Sequence, residues 1–169
     1  MPPALQRVLD AMPLSPALVK TPAWDIVAWN AAAQAVLADY AVLPPHERNT
    51  LRRLFGDPAA RERLPDWEDN VRFAIAVFRI DMVRAGLSAE AEALVAELQA
   101  GSADFRRLWA EADVRSHGGG TKRFLHPEAG PLLLEYSAFA VEGAEGLTMI
   151  VFNPATPADR QAVETLLRR

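Results

Sequence analysis

The order of secondary-structure signals predicts an α+β fold. It consists of one antiparallel sheet of about five strands, a block of helices inserted between strands 2 and 3, and a C-terminal helix. Three observations carry this expectation. Two short β-branched and aromatic runs stand near the start of the chain. Strongly punctuated helical segments fill residues 44–112. Three further alternating runs, joined by glycine-containing turns, then follow. A single sheet covered on one face by helices is the simplest packing of that order.

The elements follow in turn. Leu5, Val8, Leu9 and Met12 recur at helical spacing, so residues 1–13 read as a short amphipathic linker helix, with residues 14–169 as the domain proper. Pro13 and Pro16 break that helix. Strands are expected at 17–20 and 24–29, separated by Thr21-Pro22. Asn30 is placed to cap an alanine-rich helix over 31–40, its side-chain oxygen accepting from an orphan N–H. Pro44-Pro45 opens a helix at 47–55 and Gly56 closes it. Asp57 caps 58–64, and Asp66 caps a long helix that runs to Arg84 and stops at Gly86. Ser88 opens 89–100, closed by Gly101, and Ser102 opens 103–112. His117-Gly118-Gly119-Gly120 reads as a flexible loop before strands at 121–126, 132–141 and 147–153. Leu132, Leu134 and Tyr136 share one parity and mark one apolar face. The last strand is apolar on both parities, which predicts a central position covered on both sides, the terminal helix being a candidate cover. That helix starts at Thr156-Pro157, with Asp159 at its favourable dipole end.

Composition narrows the function classes. The chain has 169 residues, 50% hydrophobic and 24% charged, the balance of a globular domain with a real core. It has no cysteine, which removes disulfides, Cys-ligated metals and thiol nucleophiles together. Eighteen Lys and Arg against 22 Asp and Glu give a net charge of −4, unsuited to tracking nucleic-acid phosphates. The longest apolar runs fall far short of the ~20 residues a membrane-spanning helix needs. With no signal peptide at the start, the expected location is the cytoplasm.

No catalytic constellation survives inspection. His117-Gly118-Gly119-Gly120 resembles an oxyanion-hole run, but the chain has no Gly-x-Ser-x-Gly elbow. Phosphate-loop, dinucleotide and His-Glu-x-x-His motifs are absent as well, so no cofactor is expected. His46, His117 and His126 are scattered beside turns and make a poor metal set. The long helix is more informative. Trp67, Val71, Ala74, Ile75, Phe78 and Met82 form one apolar stripe, and Phe73, Val77 and Ile80 form a second on another side. A helix apolar on two sides is either buried twice or lines a cavity. Phe105, Leu108 and Trp109 add bulky surface nearby. Arg115, Lys122 and Arg123 could hold an anion, or could be solvated loop and edge-strand charges.

Several runs together carry a family resemblance. They are Trp24-Asp25-Ile26-Val27-Ala28-Trp29-Asn30, Pro44-Pro45-His46-Glu47-Arg48-Asn49 through Leu54-Phe55, and Asp66-Trp67-Glu68. Leu94-Val95-Ala96-Glu97-Leu98, Ser102 with Phe105-Arg106-Arg107-Leu108-Trp109, and Lys122-Arg123 with His126-Pro127 and Gly130 complete the set. In this order the chain resembles the ligand-binding domain of the MmyB-like, XRE-type helix-turn-helix transcription regulators of bacteria, over about residues 4–153. The resemblance implies a PAS-like fold and an apolar pocket that takes a fatty acid or similar small molecule. It also implies DNA contact only through a helix-turn-helix that this chain lacks. Ala112-Asp113-Val114 departs from the His-Asp-Val often found in the family, so no role is carried over for that histidine. Helix phase and strand parity nominate Trp67, Val71, Ile75, Phe78, Phe105, Trp109, Leu134 and Tyr136 as pocket lining. Arg79 and Arg48 are the nominated carboxylate anchors. The alternative is a PAS-like dimerisation module with a filled core, its homodimer seam formed by Leu5, Val8, Leu9 and Met12.

Overall fold

The computed structural model describes residues 3–111, 119–144 and 146–169. Helix α1 (Pro3–Asp10) leads into β1 (Ala17–Lys20) and β2 (Ile26–Trp29). The helical block comprises α2 (Ala31–Val36), a 3-10 turn (Pro45–Glu47), α3 (Thr50–Gly56), α4 (Ala59–Arg63), α5 (Trp67–Arg84), α6 (Ala89–Gly101) and α7 (Ala103–Ala110). Strands β3 (Gly119–His126), β4 (Gly130–Ala140) and β5 (Thr148–Pro154) precede α8 (Pro157–Leu167). The five strands form one antiparallel sheet in the order β2-β1-β5-β4-β3. This is the expected α+β, PAS-like arrangement, with the helical block between β2 and β3.

Local sequence accounts for most boundaries. Asn30 caps α2 by accepting from the Ala33 N–H, Ser88 accepts from Ala91 and Ser102 from Phe105. Thr156 and Asp159 complete a capping box on α8. Asp159 also accepts from the Leu133 N–H at 3.0 Å, which ties the helix to β4.

Five local expectations are corrected. Helix α2 ends at Val36 rather than residue 40, and Tyr40 folds inward against Trp29 with ring centroids 5.4 Å apart. The helix expected at 47–55 begins only at Thr50. Its first residues bridge to β2 instead, with the Ile26 N–H donating to the Arg48 carbonyl and the Thr50 N–H to that of Trp24. Trp24 belongs to the β1–β2 turn, not the strand, at φ +66°. Asp66 makes no cap bond to α5; its carboxylate takes both Nε and Nη2 of Arg123. Gly119 and Gly120 lie within β3, where the Tyr136 ring of β4 covers Gly120 so closely that a Cβ would stand 3.1 Å from its Cε1. The expected end of α7 at 112 and the loop residues His117 and Gly118 lie outside the described residues.

Three apolar clusters fill the molecule. One lies within the helical block around Val71, Phe78, Leu94 and Phe105. A second joins the sheet to α2 and α8 through Leu18, Val36, Leu134, Phe152 and Val163. The third lies on the opposite face of the sheet, where Leu9 of α1 packs on Ala17, Val19, Ala28 and Val151. Strand β5 is central and apolar on both faces, as its sequence demanded. The cover on its second face is α1, because α8 packs beside α2 on the helical side. Leu9, Leu5 and Met12, three members of the expected dimer seam, are engaged within the chain, while Val8 is exposed.

Candidate ligand-binding cavity

The helical core and the sheet core do not close completely on each other. Between them lies a cavity of about 200 Å³ with mainly apolar walls. The sheet supplies Leu18, Ile150, Phe152 and Tyr136; α5 supplies Asn70, Phe73, Ala74 and Val77; α2 and the segment after it supply Val36, Leu37 and Tyr40. A more polar groove adjoins it and shares Arg63, His126 and Pro127 with the cavity wall. His126 is pinned there by backbone groups on both ring nitrogens. Its Nε2 lies 3.0 Å from the Ala35 carbonyl, which can only accept, and its Nδ1 accepts from the Glu128 and Ala129 N–H groups.

The nominated lining residues fall elsewhere. Trp67, Val71, Ile75, Phe78 and Phe105 are buried in the helical core, and Leu134 in the sheet core. Trp67 donates its indole N–H to the Leu54 carbonyl, and Trp109 stacks on Phe105 at 5.3 Å. Of the ten nominated residues, Tyr136 alone lines the cavity. Helix α5 is a cavity wall, but mainly through its second stripe: Phe73 and Val77, joined by Asn70 and by Ala74 from the edge of the first stripe, stand roughly a quarter turn from Trp67 and Phe78. Neither nominated arginine reaches the cavity. Arg79 donates to the Trp109 and Glu111 carbonyls and lies 4.3 Å from the Trp109 ring. Arg48 donates to the Leu43 carbonyl and faces Trp29. Both guanidinium groups are engaged by backbone oxygens and indole faces, which are the partners that planar fork favours.

The charges that do reach the cavity are Lys20, Arg53, Asp57, Arg63 and Lys122. Lys20 is buried and sits 2.8 Å from the Asp81 carboxylate and 3.6 Å from the Trp24 ring centroid. Asp81 also accepts the Trp24 indole N–H at 2.8 Å, which holds this strained, positive-φ residue in place. Burial pulls the Lys20 pKa down to about 8, against the opposing pull of Asp81. Lys122 is half-buried; its ammonium lies 5.1 Å from the Tyr136 ring and 5.8 Å from that of Phe73, and burial lowers it to about 8 as well. Tyr40 is pushed up to about 12 by burial and stays a neutral hydroxyl. Of the basic cluster read at 115–123, Arg123 pairs with Asp66, Lys122 enters the cavity, and Arg115 lies outside the described residues. The parity of β3 was the available signal: Lys122 shares a side with Phe124 and His126, and all three line the cavity.

An apolar cavity between a helical layer and a sheet is the build of a small-molecule-binding domain. The family comparison agrees. Residues 1–166 match the family model described as the MmyB-like transcription regulator ligand binding domain, and the chain belongs to that family. No curated protein matches it. Among the described residues, no helix is long and apolar enough to cross a membrane.

Proposed function

We propose that this chain is the sensing domain of a bacterial, cytoplasmic transcription regulator and takes a fatty acid or similar apolar small molecule into the cavity between helices and sheet. The family supplies the ligand-binding regulatory role. The cavity of about 200 Å³, bordered by both cores, is the observation that carries the rest. It also weighs against a filled interior serving only for dimerisation. Each methylene buried there is worth about 0.8 kcal/mol before the costs of association. A ligand filling the space would touch both the helical core through Ala74 and Val77 and the sheet core through Ile150 and Phe152. It would therefore stiffen the junction between them, a change that a fused helix-turn-helix could read. Its role is binding without chemistry.

The test is denaturing extraction of the purified domain followed by mass spectrometry, with thermal unfolding in the presence of saturated fatty acids. At ligand concentrations about 100 times Kd, linkage gives about 2.7 kcal/mol of stabilisation, or a rise in Tm of roughly 5–10 °C. No co-purifying lipid together with no shift at any chain length would overturn the reading.

A further inference from the structure

The charge of the cavity wall runs against that of the chain. The protein as a whole carries −4, yet the wall presents four cations, Lys20, Arg53, Arg63 and Lys122, and one carboxylate, Asp57. Two of the cations have their counter-charges close by. Lys20 pairs with Asp81 from α5, and Arg53 stands 3.6 Å from Asp57. Arg63 lies where the cavity meets the adjoining polar groove. Among the described residues neither Arg63 nor Lys122 has a carboxylate within ion-pairing distance, but Lys122 lines the cavity alone, away from that groove, and its ammonium stands over aromatic rings. The rings of Tyr136 and Phe73 flank the ammonium, and aromatic faces stabilise a cation without neutralising it. The Tyr136 ring lies directly over Gly120, where an added Cβ would stand 3.1 Å from its Cε1 and push the ring aside by a few tenths of an ångström. A half-buried cation beside an apolar chamber is partly desolvated, and a negatively charged guest is the partner that offsets that cost.

We propose that the ligand is an apolar carboxylate whose head is held by Lys122, with its hydrocarbon body running along Val77, Phe124, Ile150 and Phe152. This rests on the sensing reading above and sharpens it: the site selects acids over alcohols, esters and other neutral lipids of equal length. Lys20 takes no part in head recognition, since Asp81 already answers its charge.

The experiment measures binding of octanoate and 1-octanol to this chain at pH 7 by calorimetry, for the wild type and for Lys122→Met. A charge-assisted contact to a half-buried ammonium makes octanoate at least tenfold tighter than octanol in the wild type. Lys122→Met is expected to lose octanoate affinity at least tenfold while holding octanol within about twofold. Equal affinity of the wild type for acid and alcohol overturns the proposal without any variant, so it stays falsifiable even if Lys122→Met fails to fold. A variant that keeps the acid preference, or loses both ligands alike, overturns it too. If the wild type binds neither ligand, nor any longer acid, the sensing reading itself has failed, and that outcome is distinguishable from the others.

Discussion

Replacing Asp81 with Asn tests the electrostatics of the cavity wall most directly. The Lys20 ammonium is 2.8 Å from the Asp81 carboxylate, with the two side chains 4% and 13% exposed. Breaking a buried ion pair by deleting one partner ordinarily costs about 3–5 kcal/mol. Here the loss should be smaller, because Lys20 has a way out. Its pKa is already down at about 8, so at pH 7 it lies about one unit from losing its proton. Without the carboxylate the pKa falls further and the lysine becomes neutral. Deprotonation therefore limits the electrostatic penalty at pH 7 to about 1.4 kcal/mol, the value of one pKa unit. Weaker hydrogen bonds from Lys20 and the Trp24 indole to a neutral amide add about 1 kcal/mol. The expected total is about 2 kcal/mol, or a fall in Tm of roughly 4–8 °C. The sign of the pH dependence follows. In the wild type the pair's attraction is present while Lys20 is charged and is lost as pH rises through 8, so the Asp81→Asn penalty should shrink to about 1 kcal/mol at pH 9. Urea unfolding of both proteins at pH 7 and pH 9, followed by circular dichroism, measures it. A penalty of equal size at the two pH values, or a larger one at pH 9, would refute the reasoning.

Other consequences can be checked on the same protein. Lys20 and Lys122 both have folded pKa values of about 8 against an ordinary 10.5, so the unfolded chain binds more protons between those values. Stability in the absence of ligand should therefore rise from pH 7.5 to pH 9.5 in urea melts, and Tyr40, raised to about 12, opposes this only above pH 10. Octanoate should hold the proton on Lys122, so its stabilising effect should fall over the same interval; an effect that grows with pH would contradict the anchor. Asn30→Ala should cost about 2–4 kcal/mol in chemical denaturation. That buried amide accepts from Ala17 and Ala33 N–H and donates to the Leu9, Met12 and Ser15 carbonyls, and truncation removes all of these bonds at once. Fatty-acid affinity should rise about fourfold per methylene and level off near eight to ten heavy atoms, since a cavity of ~150 Å³ holds benzene and this one is about 200 Å³. An unbroken rise to sixteen carbons would mean that the cavity expands.

The fold was legible in the sequence because its signals are local. Proline and glycine punctuation, side-chain caps at Asn30, Ser88, Ser102 and Thr156, and the two-sided apolarity of 147–153 each act within a few residues, and together they specify the order of strands and helices. The boundaries that failed were decided at long range. Residues 48–50 give up a helical start because their backbone groups pair with Trp24 and Ile26, some 25 positions earlier. Asn49 then sits buried, donating to the Ala23 carbonyl and Asp25 while capping α3, a role that its neighbourhood of surface arginines concealed.

The cavity was misplaced for a related physical reason. On α5 the stripe of Trp67, Val71, Ile75 and Phe78 is the bulkier and more regular, which is why it drew the assignment. Bulk and regular spacing are what a closed core requires, and that stripe is packed solid against α3, α6 and α7. A cavity persists where side chains fail to fill the gap between layers, so its wall is Phe73 and Val77 of the second stripe with the smaller or polar Ala74 and Asn70 beside them. The same logic applies to charge. Arg48 and Arg79 were nominated because arginine suits carboxylates, yet that capacity also makes them good at satisfying carbonyl oxygens, and the fold uses them for that. Among the described residues, Lys122 lines the cavity without an ion pair. Lys122 stands on the inward parity of an edge strand, a position where an apolar side chain is the ordinary choice, and strand parity rather than residue type was the signal that placed it there.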